Sequence, residues 1–242
     1  DYVQAGYTRR LDKDCYVDFD RIFAVSDETA GVFAGVYPEC QQKLSVFHNL
    51  IDTEAIRQKA LSPVEKSMHE GIRLLTVGRL TPQKGFDCAV YALKLLLEKQ
   101  YPVYWYIIGE GPEYGRLTQL ARSLHVEDHF IFLGMQTNPY PYFKMADFYI
   151  HATRFEGKSI AIQEAQVLGC AIAASDCSGN REQIVSGVDG LLCPFSPEGI
   201  ANAVEYLIEH PQTAESFGRA AAQKACHFEN DIHMIRDLLY SP

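Results

Sequence analysis

DFYIHATRFEGKSIAIQEAQVLGCAIAAS (147–175) is the stretch from which the rest of the chain is read. The apolar run Phe148, Tyr149, Ile150 predicts a strand. A helical pattern over 159–168 carries Glu164, and a second apolar run, Ala171 through Ala174, predicts the next strand. Glu156, Gly157 and Ser159 stand between the first strand and the helix. The order is strand, tight turn, helix, strand, with polar residues at the carboxyl end of the first strand. In an open α/β sheet, ligands bind at that edge.

The same alternation extends in both directions. Upstream, strands are predicted at 72–78, 101–108 and 129–134, with helices at 86–100, 113–124 and 138–146 between them. Downstream come a short helix at 180–186, a strand at 190–194, and helices at 197–210, 211–228 and 230–239. Strands alternating with helices predict an α/β fold, a Rossmann-like parallel sheet with helices on both faces. Residues 21–47 read as strand, helix, strand, a unit too small to stand alone. Residues 49–71 read as a polar linker with a short helix near 53–60. Residues 1–20 are irregular, with a short helix near 6–11.

Bulk properties exclude several classes. With 47% hydrophobic and 22% charged residues, the 242-residue chain builds a packed core. A net charge of −9 argues against nucleic-acid binding, which needs clustered Lys and Arg. No apolar run is long enough for a transmembrane helix, and no secretory signal is visible. The chain starts at Asp1, so the expectation is a piece of something longer. The seven cysteines (15, 40, 88, 170, 177, 193, 226) are odd in number and scattered, without C-x-x-C. That argues against a disulfide framework or zinc site and for a reducing cytoplasm. His125 and His129, flanking Glu127 and Asp128, imitate a metal pair, but they straddle a helix-to-strand boundary where the spacing loses its meaning.

Several strand-to-helix turns gather polar residues on one edge. Gly78-Arg79-Leu80-Thr81-Pro82-Gln83-Lys84-Gly85 holds two cations suited to phosphate; a solvated turn is the equal alternative. Gly109-Glu110-Gly111-Pro112, Gly134-Met135-Gln136 and 176–182 are weaker signals, each readable as a plain turn. A helix starting near 157–159 offers free N–H groups to a diphosphate. Glu156 and Glu164 invite comparison with the acid–base pair of a glycosidase. An eight-residue offset, however, turns an ideal helix by about 800°, some 80° past two turns, so the two need not face each other. They read better as acceptors for hydroxyls at two points along one ligand, against dipole stabilisation for Glu156 and plain exposure for Glu164. Neither a P-loop nor a G-x-G-x-x-G fingerprint is present.

In series, Gly78-Arg79…Lys84-Gly85, Gly109-Glu110-Gly111-Pro112, Phe132-Leu133-Gly134, Ala146-Asp147, Glu156-Gly157…Glu164-Ala165…Gly169 and Asp189-Gly190-Leu191-Leu192 resemble the donor-binding half of the group 1 family of retaining GT-B glycosyltransferases. The resemblance covers about 72–240. It implies two Rossmann-like domains with the active site between them, of which this chain holds the C-terminal one. Residues 21–52 resemble the end of the acceptor domain, and Asn49-Leu50-Ile51-Asp52 stands where the family often has N-G-I-D. The expected division is a remnant at 1–50, a linker at 51–71, the nucleotide-sugar domain at 72–228 and a C-terminal helix at 229–242.

The resemblance also implies roles. Arg79 and Lys84 bind the donor diphosphate and offset leaving-group charge, Glu156 contacts the donor sugar, and Glu164 holds the ribose. Gly78, Glu110, Gly134, Met135, Gly157, Lys158, Ser159 and Ile160 complete the donor site. The donor is a nucleotide sugar, with no further cofactor and no metal; the products are polysaccharide or glycolipid. The implied setting is cytoplasmic, with a missing N-terminal acceptor domain, peripheral membrane contact only at full length, and little transfer by this piece alone. Lys158 stands where the family often has an aromatic residue, and Ser178-Gly179-Asn180-Arg181-Glu182 replaces the common G-G-x-P-E. A GT-B nucleotide-sugar epimerase and a non-enzymatic α/β interaction domain are the alternatives.

Overall fold

Six strands form one parallel sheet in the computed structural model, which describes residues 15–64 and 66–225. They are β3 (Ile72–Val77), β4 (Val103–Ile108), β5 (Phe130–Gly134), β6 (Phe148–His151), β7 (Ala171–Ser175) and β8 (Leu191–Cys193). Their order across the sheet is β5-β4-β3-β6-β7-β8.

The near-continuous apolar strands are what a sheet covered on both faces requires. Alternate residues point to opposite sides. Leu74, Trp105, Ile107, Phe148, Ile150, Ala171 and Ala173 belong to one buried cluster. It is covered by α3 (Phe86–Glu98), α4 (Tyr114–Ser123), α8 (Pro197–Glu209) and α9 (Pro211–Ala225). Leu75, Tyr106, Ile108, Tyr149, Ile172 and Ala174 belong to the other, under α5 (Tyr140–Met145) and α6 (Ile160–Val167). Cys88 and Cys193 lie in the first cluster and Cys170 in the second, as small buried hydrophobes.

The chain builds β3, β4 and β5 outward in one direction, then returns to the centre for β6 and builds β7 and β8 in the other. The strand order therefore reverses between β3 and β6. That switch point opens a crevice at the carboxyl edge. At the amino edge the two strands are clamped: the Asp147 carboxylate accepts a two-pronged ion pair from the Arg73 guanidinium and a bond from the Arg73 amide, and the Asp147 amide donates to the Arg73 carbonyl.

A smaller unit precedes the sheet. β1 (Ile22–Ala24) pairs in parallel with β2 (Leu44–Val46), with α1 (Asp27–Val36) between them. Ser26 caps α1 by accepting from the Thr29 amide at 3.1 Å. Helix α2 (Thr53–Lys59) links the two units, its Ile56 packing with Val167 of α6.

Two local expectations change. The helix expected at 180–186 is a single turn, α7 (Ser178–Arg181). Beyond it the Gln183 side chain is bonded to the backbone of Ser159 beside α6, and Gly187 then turns at φ 81°. Between α1 and β2 lies an unforeseen 3-10 segment, Pro38–Lys43. The helices expected near 6–11 and at 230–239 lie outside the described residues.

Gly109 lies over the β3 turn at φ 141°, where a Cβ would sit 2.0 Å from the Gly78 carbonyl oxygen. Gly109→Ala therefore destabilises the fold by about 2–4 kcal/mol. Gly115, in the first turn of α4, has open space around it. Gly115→Ala stabilises by about 0.5–1 kcal/mol. Urea unfolding of the two variants beside the parent measures both signs.

Candidate functional site

The site is built where the loops after β3 and β6 leave the sheet side by side. Their backbones are stitched together. The Gln83 carbonyl accepts from the Arg154 amide at 2.8 Å and the Thr153 hydroxyl at 3.1 Å. The Gln83 side-chain amide donates to the Phe155 carbonyl at 2.9 Å. Arg154 closes the outer side with a two-pronged pair to Asp87 of α3. Gly85 adopts φ 63°, where a Cβ would strike the Ala152 carbonyl at 2.2 Å.

This stitching brings Lys84 and Glu156 into an ion pair, Nζ to Oε2. Their side chains are only 17% and 13% exposed, so water screens the pair weakly. His151, the last residue of β6, approaches the same Oε2 with Nε2 at 3.4 Å. Burial pushes the Glu156 carboxyl up, but His151 and the Lys84 charge outweigh it and pull the group down to about 2. Burial lowers His151, so its imidazole is neutral. The Lys84 stem runs along Gly78. Arg79 is exposed and has no ion-pair partner among the described residues.

Glu164 lies one helical turn into α6. It is largely buried, and Tyr140 Oη donates to its Oε1 at 3.0 Å. Burial pushes the Glu164 carboxyl up, against the Tyr140 hydrogen bond; burial and the Glu164 charge push the phenol to about 12. Tyr149 carries the influence of both carboxylates.

The start of α6 differs in one respect from the expectation. Ser159 is buried, and its hydroxyl caps the helix by accepting from the Ile162 amide. Its own amide donates to Gln183 Oε1 at 2.7 Å, and its carbonyl accepts from Gln183 Nε2 at 2.9 Å. Ser159 thus anchors α6 to the loop after β7 through its amide and carbonyl, while its hydroxyl, accepting from Ile162, keeps its own proton to donate. Ile160 opens the helix, 49% exposed. Gly157 is exposed and Lys158 half-buried. Gly179 is packed so closely behind Glu156 and Gly157 that a Cβ would fall within 2.3 Å of both carbonyls.

Glu110 and Gly134 sit apart from the ion pair, on a cleft of about 530 Å³ at the ends of β4 and β5, with Lys66, Tyr114 and Phe132. Met135, beside it, is 71% exposed. The cleft is tied to the β3 loop by Gly109 over Gly78 and Gly111 over Leu80. Another cavity, about 520 Å³, opens at the amino ends of β6 and β7, the wrong edge for this chemistry. Sequence reasoning missed His151, Tyr140 and Gln183. For His151 a signal existed: a histidine ending an apolar strand at the carboxyl edge, two residues from Tyr149 and hence on its face.

The model of the family described as "Glycosyl transferases group 1" matches residues 57–224. Among curated proteins, the chain is 29% identical over 200 residues to the N-acetylgalactosamine-N,N'-diacetylbacillosaminyl-diphospho-undecaprenol 4-alpha-N-acetylgalactosaminyltransferase of Campylobacter jejuni, covering 82% of this chain and 53% of that protein. An uncharacterized glycosyltransferase of Methanocaldococcus jannaschii is 25% identical over 180 residues, covering 72% and 42%. The chain spans about half the length of these relatives. Among solved structures, Anabaena HepE in complex with UDP-glucose superposes with a TM-score of 0.84 at 19% identity, over 99% of this chain and 70% of that one. That likeness shows the fold, part of a GT-B architecture.

Glu156 titrates lower in the folded chain than the value of about 4.3 expected when unfolded. Its pairing therefore contributes stability above pH ~4.3, which is lost as pH falls toward 2. Glu156→Gln destabilises most near pH 7, by roughly 2 kcal/mol. The gap to the parent narrows below pH ~4. Denaturant unfolding of both chains across pH 2.5–7 gives the curve.

Proposed function

The chain belongs to the group 1 glycosyltransferases, and we propose that its sheet domain holds the nucleotide-diphosphate sugar from which a sugar passes to an acceptor. The observation that carries this reading is the Lys84–Glu156 pair at the switch point, beside the opening of α6.

In the free chain Lys84 and Glu156 neutralise each other. A diphosphate arriving between the two loops competes for Lys84, whose ammonium turns from one carboxylate to two phosphates. Exposed Arg79 adds a second cation. The Ile160 and Ala161 amides at the start of α6, which lack intrahelical acceptors, face the same anion, the Ile162 amide being taken by the Ser159 hydroxyl. Together they offset the charge that grows on the departing diphosphate, stabilising the transition state. Cations and helix amides supply this charge, so the reading needs no metal. Glu156, released by Lys84, accepts from hydroxyls of the donor sugar. Glu164, oriented by Tyr140, accepts from the ribose. The cleft beside Gly134 is large enough for a nucleoside.

The finer reading is transfer with retention of anomeric configuration, in cytoplasmic synthesis of a polysaccharide or glycolipid. The diphospho-undecaprenol acceptor named for the Campylobacter relative supports a lipid-linked substrate. UDP and UDP-glucose in the HepE structures support a nucleotide-sugar donor. Acceptor contacts come from a preceding domain, so this chain alone transfers little. Among the described residues, no helix is long and apolar enough to cross a membrane; membrane contact at full length is peripheral.

Thermal unfolding with UDP, GDP and ADP tests the reading. One of the three raises the midpoint. Lys84→Ala weakens that nucleotide by tenfold or more, and Glu164→Ala by about tenfold. Protection by none of the three, together with no effect of Glu164→Ala, overturns it.

A further inference from the structure

His151, like its neighbour Tyr149, is a buried titratable group of the site to which the proposed mechanism gives no task. It is 1% exposed and lies between two polar groups on its own face of the sheet. Tyr149 Oη is 3.2 Å from Nδ1, and Glu156 Oε2 is 3.4 Å from Nε2.

The chemistry of the three groups fixes where the proton sits. Tyr149 is completely buried, and burial together with the nearby carboxylates raises its phenol well above the usual range. It therefore stays a neutral hydroxyl, free to donate. Glu156 is ionised and only accepts. A neutral imidazole between a donor and an acceptor has one satisfactory tautomer: Nδ1 bare toward Tyr149, and Nε2–H toward Glu156. The other tautomer sets a bare nitrogen against a carboxylate inside the protein, where an unmade bond is costly.

Both contacts of Glu156 fall on Oε2; among the described residues Oε1 makes no hydrogen bond. Lys84 is the partner a diphosphate draws away. His151 is fixed to the strand and cannot follow. Once Lys84 has moved, the imidazole remains to hold Oε2, and Oε1 keeps its direction.

We propose that His151, set in its Nε2–H tautomer by Tyr149, is a positioning residue that keeps Glu156 ionised and aimed at the donor sugar when Lys84 turns to the diphosphate. The sugar-facing part rests on the donor-site reading above; the tautomer and its effect on Glu156 do not.

The experiment uses the full 242-residue chain. Imidazole ¹⁵N spectra at neutral pH show His151 protonated on Nε2, and Tyr149→Phe erodes that preference. Carboxyl ¹³C titration places Glu156 at least one unit higher in His151→Leu than in the parent. His151→Gln, whose amide nitrogen stands near the place of Nε2, brings it back down. A packing role alone gives no such rescue. An Nδ1–H or charged imidazole overturns the proposal, and so does an unmoved Glu156; if the Leu variant does not fold, Tyr149→Phe decides by the same two readouts. Calorimetry with UDP and UDP-glucose, GDP and GDP-mannose, and ADP and ADP-glucose then reads the sugar step. His151→Leu changes the ratio of sugar-nucleotide to nucleotide affinity by about tenfold, and His151→Gln by less. An unchanged ratio in a chain that binds overturns the positioning role alone. A parent that binds none of the six overturns the donor-site reading, while the spectra still judge the tautomer.

Discussion

An ion pair between residues 72 positions apart holds the site together. Lys84 and Glu156 come from loops on either side of the reversal in strand order, and only the sheet brings them together. Such a pair is costly to assemble in a weakly screened setting, because both groups lose water. The surroundings repay that cost with geometry. Gln83 fastens one loop to the other, and Arg154 braces the second loop against Asp87. Breaking either partner strands a charge; replacing both removes the reason for the crevice. The pair stabilises the empty site and is also what an anionic ligand must take apart, so affinity is the difference between two strong interactions.

Glycine sets how closely the layers approach. Gly109 and Gly111 let the β4 turn lie on the backbone of residues 78–80, and Gly179 lets the β7 turn lie behind residues 156–157. At each place the barrier to a larger residue is a carbonyl oxygen, which cannot rotate aside as a side chain does. The four turns form one backbone stack with few adjustable parts, as pre-organised binding demands.

The sheet was legible because buried parallel strands write themselves as near-continuous apolar runs, and 72–77, 103–108, 148–151 and 171–175 are broken only by Arg73, Thr76, His151 and Ser175. The turn after β7 was not: the residues following Arg181 look helical, but Asn180 is bonded inward to the Ser175 carbonyl and Gln183 is spent on Ser159. In the site, Lys84 and Glu156 were legible as charges at strand ends, but their pairing was not, since it depends on which strands are neighbours. Ser159 was legible as a serine at a helix start; its role as the cap of α6, and the binding of its amide by Gln183, appear only in the folded chain. Tyr140 was legible only as part of a short helix, and its hydroxyl meets Glu164 through tertiary packing.

Trp105, the chain's sole tryptophan, lies fully buried in β4. Its indole N–H donates to Thr76 of β3 at 3.0 Å, and that hydroxyl donates in turn to the Ile150 carbonyl of β6 at 2.7 Å. One fluorophore is thus wired across three adjacent strands, ending next to His151. Its emission is an optical gauge of whether the two central strands are still joined, and it needs neither a label nor a second tryptophan to subtract.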